Sequence, residues 1–285
     1  MSKVGCQGCR DGAPLPFTFT MAFQPILDVD QGRVWGYEAL VRGEDGQGAG
    51  WVLGQVDEAN RYKFDQACRV KAIELAGALF PDAETKLSIN FMPNAVYEPA
   101  ACIRATLEAA HRVGFARRQI MFEFTENERI TDVGHLQRII VEYRKQGFLT
   151  ALDDFGAGYA GLNLLASFQP DLIKLDMDLI RGIAASPARQ TIVAAVTAMA
   201  RELGVTVLAE GVETEAELLV LRAAGIRLFQ GYLFARPELA RLPAVHRIDA
   251  GDPAEASAPR AAQGSREGPS SAIRQAAARC GVLTR

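Results

Sequence analysis

Long apolar runs are missing from this chain. None of its 285 residues falls in a stretch of eighteen or more apolar side chains, which excludes an apolar helix that spans a bilayer. The opening MSKVGCQGCRDGAPLP also lacks the apolar stretch of a secretory leader. No basic excess is present: 31 Lys and Arg stand against 34 Asp and Glu, a formal net charge of −3. That balance argues against broad electrostatic binding to nucleic acid or to an anionic membrane. The expectation is a cytoplasmic protein with neither as partner. Histidine and cysteine are scarce, at three and five residues. Cys68 and Cys102 fall in helix-like segments and read as small core residues. Cys6 and Cys9 form one CxxC, but no second pair or nearby His completes the four ligands of a structural zinc site. The pair is left without a role.

What the chain does have is apolar material, 49% of residues against 23% charged. Eight short apolar segments stand out: Thr18–Leu27, Arg33–Val41, Lys86–Met92, Gln119–Phe124, Leu149–Asp153, Asp171–Leu175, Thr206–Ala209 and Arg227–Phe234. Several are nearly continuous, as in strands buried on both faces. Helical periods lie between most of them. Ile192, Val196, Met199 and Leu203 read as one stripe of a helix over 187–203, and Val133, Leu136, Ile140 and Tyr143 as the stripe of another. Ser186-Pro187 reads as a cap and first turn, and Thr214 with Glu217 as a capping box. Gly114, Gly147, Gly204 and Gly225 stand where helices should end. The alternation predicts an α/β fold, a modified (β/α)8 TIM-type barrel. Only Asp28–Gly32 join the first two strands, too few residues for a parallel crossover, so the first strand should be antiparallel.

The barrel is placed at residues 17–247, after a short segment 1–16. From 248 to 285 the chain is rich in Ala, Gly, Pro, Ser and Arg. Such a tail cannot bury enough surface to offset the entropy of ordering and is expected to be disordered.

Polar residues in doubly covered strands are costly unless used. Glu38, Asn90, Glu123, Asp153-Asp154, Lys174, Glu210 and Gln230 each fall near the C-terminal end of a different segment, the face on which barrels build their sites. Carboxylates with one Asn, and no His or Cys, make a hard oxygen shell suited to Mg²⁺ or Mn²⁺. Adjacent Asp153 and Asp154 allow one carboxylate to bridge two ions, which suits attack on a phosphoryl group. Singly, each of these residues has a bland explanation in a cap, a turn or the surface. Together they mark one site.

At these residues the chain resembles the EAL-domain phosphodiesterases that hydrolyse cyclic di-GMP. The motifs occur in the family's order over about Phe17–Pro237: FQPI at 23–26, EALVRG at 38–43, SIN at 88–90, FEFTE at 122–126, DDFGAGY at 153–159, IKLD at 173–176, AEGVE at 209–213 and QGY at 230–232. The resemblance implies that Glu38, Asn90, Glu123 and Asp153 hold one metal, and that Asp153 with Asp154 holds a second. It implies catalytic roles for Asp154, Lys174, Glu210 and Gln230, with Glu210 either a ligand through water or a base. Gln24 and Arg42 would contact the dinucleotide, and Glu126 and Glu213 would hold the loop after the fifth strand. The implied reaction opens cyclic di-GMP to linear pGpG with two Mg²⁺ or Mn²⁺ ions.

One departure concerns that loop. The family's usual DDFGTGYSSL reads DDFGAGYAGL here, with Ala157, Ala160 and Gly161 in place of hydroxyl residues. The family's dimer contact near this loop points to Ala160–Phe168 as a homodimer surface. A receptor that holds the dinucleotide uncut and a protein-interaction module are the alternatives, and the intact set counts against both.

Overall fold

The computed structural model describes residues 14–125, 132–158 and 161–246. Cys6, Cys9, Glu126, Ala160 and the tail from 248 lie outside them. In chain order the elements are β1 (Thr20–Asp28), β2 (Arg33–Arg42), α1 (Ala49–Leu53), α2 (Arg61–Leu79), β3 (Lys86–Asn90), α3 (Pro99–Cys102), α4 (Arg104–Val113), β4 (Ile120–Thr125), α5 (Val133–Lys145) and β5 (Leu149–Phe155). They continue with α6 (Gly161–Ser167), β6 (Leu172–Leu175), α7 (Met177–Ile180), α8 (Pro187–Glu202), β7 (Thr206–Ala209), α9 (Glu215–Ala223), β8 (Leu228–Phe229) and β9 (Glu238–Leu239).

Strands β2 to β8 pair in parallel in sequence order, and β1 closes the barrel between β8 and β2, antiparallel to both. The expected modified barrel is therefore present, with the short β1–β2 hairpin that the loop length required. The short β9 pairs with Ala22 and Phe23 of β1 outside that circuit, and no apolar run announces it.

Two cores follow from the period of two along each strand. Outward-facing side chains such as Phe23, Leu87, Phe122, Leu152 and Phe229 join the large core beneath the helices. Inward-facing Ile26, Met121, Ala151, Leu172, Leu208 and Leu228 form a second, separate cluster. This plug fills the floor of the barrel, so whatever is polar inside must sit above it.

Helix ends obey the local chemistry. Ser186 accepts from the Arg189 N–H at the start of α8, and Thr214 and Glu217 complete a capping box at α9. Gly114 ends α4 in the left-handed region at φ 72°. Helix α5 packs through Leu136, Ile140 and Tyr143 as expected, but Val133 is exposed. The stripe expected for α8 holds in part, since Val196 and Met199 pack against the core. Val193 and Ala200 are its buried residues, while Ile192 and Leu203 face outward. Ala200 is the small residue of that buried pair, and alanine carries little weight in an apolar-stripe reading. Cys68 and Cys102 are free and buried, as expected. Among the described residues, no helix is long and apolar enough to cross a membrane.

Candidate active site

The polar layer sits one step above the plug. Two residues after floor residues Met121, Ala151, Leu172, Leu208 and Leu228 come Glu123, Asp153, Lys174, Glu210 and Gln230. On antiparallel β1 the same step runs backwards, from Ile26 to Gln24. Period-two alternation thus turns each of these side chains into the barrel mouth. Glu38 enters from β2, where it lies opposite Gln24 in register, and Asn90 lies opposite Glu123 at the end of β3.

Lys174 is the hub. Its Nζ is 2.6 Å from Glu210 Oε1, 2.8 Å from Glu123 Oε2, 3.1 Å from Asp153 Oδ1 and 3.5 Å from Glu38 Oε2. One ammonium therefore faces four carboxylates in a setting with little water, since Lys174 and Glu123 are fully buried. Around the hub, Asn90 Nδ2 donates to Glu38 Oε1 at 2.8 Å and Gln230 Nε2 to Glu38 Oε2 at 2.7 Å. Gln230 Nε2 also reaches Gln24 Oε1 at 3.2 Å.

Adjacent strand residues normally point to opposite faces. Asp153 and Asp154 escape that rule because the β5–β6 register slips between Leu152 and Phe155, and Asp154 adopts φ 54°. Bulges with a left-handed residue re-aim side chains, and Asp tolerates that region better than most. As a result Asp153, Asp154 and Glu210 offer carboxylate oxygens within 4.8 Å of one another, and so do Glu38, Glu123 and Asp153. Asp153 belongs to both groups. Thr125 Oγ1 donates to Asp154 Oδ2 at 2.9 Å and helps to hold the bulge.

Electrostatics follow from the crowding. Burial pushes the Glu123 carboxyl up to about 8; Lys174 opposes the rise, while the charges of Glu38 and Asp153 add to it. Glu210 is raised well above its ordinary value by burial and by Asp153. Asp153 is raised by burial, against the pull of Lys174. Burial also pushes Glu38 upward, but Lys174 and the hydrogen bonds from Gln230 and Asn90 outweigh it and leave that carboxyl below its usual value. Burial alone would lower Lys174, yet the four carboxylates hold its ammonium well above the usual range.

A divalent ion fits this arrangement. The donors are hard oxygens, negative charge exceeds the single ammonium, and buried Glu123 Oε1 has no hydrogen-bond partner among the described residues. The residues that could hold one are the two carboxylate groups sharing Asp153.

The cleft above them measures about 240 Å³ and is lined by Gln24, Glu38, Asp153, Lys174, Glu210 and Gln230. A larger hollow of about 740 Å³ lies on the outer wall between β2–β3 and α1–α2, and meets the site only at Asn90 and Thr125. Two of the expected residues stand apart from the cluster. Arg42 ends β2 with Nη1 on the Val41 carbonyl at 2.7 Å and lines neither hollow. Glu213 lies at the cleft mouth, paired with Arg181 at 3.4 Å. The mouth also carries Arg181 and Tyr232, and the Arg236 guanidinium lies 4.1 Å from the Tyr232 ring centre. The strand-end pattern could not mark Arg181 or Arg236, because Arg181 follows helix α7 and Arg236 lies in the segment between β8 and β9.

The EAL domain family profile matches residues 17–237. The structure of a standalone EAL protein from Vibrio cholerae O395 in its c-di-GMP-bound form is similar at TM-score 0.79 and 54% identity, covering 82% of this chain and 98% of that one. The blue light- and temperature-regulated antirepressor BluF of Escherichia coli (strain K12) is 34% identical over 79% of this chain and 55% of its own length. The cyclic di-GMP phosphodiesterase PA2567 of Pseudomonas aeruginosa is 31% identical over 78% of this chain and 38% of its own. The chain thus spans from about two fifths to just over half of these two relatives.

Proposed function

The chain belongs to the EAL domain family, and from that membership we propose that it is a metal-dependent phosphodiesterase opening cyclic di-GMP to linear pGpG. The observation that carries the reading is the convergence of Glu38, Glu123, Asp153, Asp154 and Glu210 about Lys174 at the barrel mouth. In this reading Glu38, Asn90, Glu123 and Asp153 would hold one Mg²⁺ or Mn²⁺, and Asp153 with Asp154 a second. Bound divalent ions supply positive charge to a phosphoryl oxygen and acidity to water.

The chain's own groups supply the rest. Water adds to phosphorus, the bond from phosphorus to the 3′ oxygen breaks, and the leaving oxygen takes up a proton. Lys174, held charged by its carboxylates, faces the charge that grows on the phosphoryl group. Glu210, raised well above its ordinary value by burial and by Asp153, would exchange a proton with the reacting oxygens. Gln24 and Gln230 orient the dinucleotide from the β1 side. Arg42 would leave the Val41 carbonyl to meet a phosphate. Glu126 and Glu213 would steady the segment after β5, and a homodimer would form through the region near 160–168, where Leu162 is 63% exposed.

Incubation of purified protein with cyclic di-GMP and Mg²⁺ or Mn²⁺, beside Glu38→Ala, tests the reading by the yield of pGpG. Yield no higher than that of the variant overturns it. A protein-interaction role draws support from the relative that is an antirepressor. Under that role the wild-type chain would leave the dinucleotide intact in the same assay.

A further inference from the structure

A buried ion pair lies outside the site and has no part in the chemistry above. On α2, Arg69 Nη2 and Asp65 Oδ2 are 2.7 Å apart, with side chains 0% and 1% exposed. Such a pair seldom stabilises a fold more than apolar residues of the same size would, because both charges lose their water. The second carboxylate oxygen gives the pair another role. Asp65 Oδ1 accepts the backbone N–H of Met92 at 3.0 Å.

Met92 lies two residues beyond Asn90. The Phe91 N–H between them is bound to the Glu123 carbonyl at 3.0 Å, and its ring packs against Phe122, Phe124 and Tyr143. Arg69 Nη1 reaches Tyr143 Oη and Thr106 Oγ1, both at 3.4 Å, which fixes the guanidinium from α5 and α4. A charge-assisted hydrogen bond from a rigid pair thus ties down the chain just where β3 leaves the barrel wall. Asn90 projects from that exit and donates to Glu38 Oε1.

We propose that Asp65, locked by Arg69, is a positioning residue for the metal-holding layer, acting through Met92 on Asn90 and through Asn90 on Glu38. The proposal rests on the reading of Asn90 and Glu38 as metal-holding residues. Partners that orient ligands from behind are typically worth about 10- to 100-fold in metal affinity or activity.

Two double variants isolate the tether from the buried charge. Asp65→Asn with Arg69→Met removes both charges but keeps an acceptor for the Met92 N–H. Asp65→Leu with Arg69→Met removes the acceptor as well. Thermal unfolding establishes that both fold, and Met92→Pro replaces the second if it does not, since it deletes the donor and leaves the pair whole. The first readout is the ¹⁵N signal of the Asn90 side-chain amide in metal-free protein. It should shift and broaden when the tether is lost and stay near wild type when it is kept. The second is Mn²⁺ binding followed by the spin-resonance signal of the free ion, expected to weaken about 10-fold or more in the untethered variant. Neither readout requires turnover, so failure of the hydrolysis assay would leave this test intact. An Asn90 signal that is the same in both double variants would overturn the proposal.

Discussion

Lys174 Nζ lies 2.8 Å from Glu123 Oε2 beneath the cleft, yet Glu123 Oε1 has no hydrogen-bond partner among the described residues. The ammonium therefore neutralises the layer only in part. Lys174→Met should remove that neutralisation and leave buried carboxylates facing one another. A loss of about 3–5 kcal/mol is expected for breaking a buried pair from one side. Chemical denaturation in EDTA measures it, and Mn²⁺ should restore most of the loss by ligand linkage. Equal stability of variant and wild type without metal would contradict the account.

Stability without metal should fall as pH rises. In the unfolded chain a Glu gives up its proton near 4.5, but in the folded protein Glu123 keeps it to about 8. Between these values the native state holds the extra proton, so the slope of stability with pH is negative. Glu210 and Asp153 are raised as well and act in the same sense. In EDTA the urea midpoint should therefore be lower at pH about 8 than at pH about 5.5. Saturating Mn²⁺ should flatten the trend, because ligation needs ionised carboxylates.

The choice of ion gives a third test. Mg²⁺ and Mn²⁺ should support hydrolysis, whereas Ca²⁺ should bind and inhibit, since its larger radius and looser coordination suit the site poorly. Calcium-supported turnover as fast as with magnesium would count against a two-ion mechanism.

Gly231 follows Gln230 and touches the backbone of the β7–α9 segment. A Cβ there would meet the Val212 carbonyl oxygen at 2.0 Å and its nitrogen at 2.4 Å. Gly231→Ala should force the two segments apart, destabilise the fold by about 1–3 kcal/mol, and displace Gln230 from Glu38. The check is thermal unfolding together with the yield of pGpG.

Much of this architecture is readable before any coordinates. Strand positions show in apolar runs because strands covered on both faces have little use for polar side chains. Antiparallel β1 shows in the five residues from Asp28 to Gly32, and the polar layer shows as the break in each run near its end. Other features are hidden for physical reasons. The buried line of α8 shows only in part, because Ala200 carries little apolar weight in the sequence. Asp65 and Arg69, four residues apart on a helix, look like an ordinary solvated pair, and only burial reveals their different setting. The bulge that brings Asp154 beside Asp153 is a backbone event, which the string DDFG does not spell out.

Antiparallel β1 also decides where the chain meets the barrel. Thr20, its first residue, lies opposite Arg42, the last residue of β2, so the polypeptide enters at the rim above the polar layer rather than at the plugged floor. Strand β9 pairs with Ala22 and Phe23, so the exit is near the same rim. Entrance and exit thus share one side of the fold. In a fusion protein, a module joined before β1 or after β9 would be tethered within reach of the cleft, and tension on either linker would act first on the strand carrying Gln24.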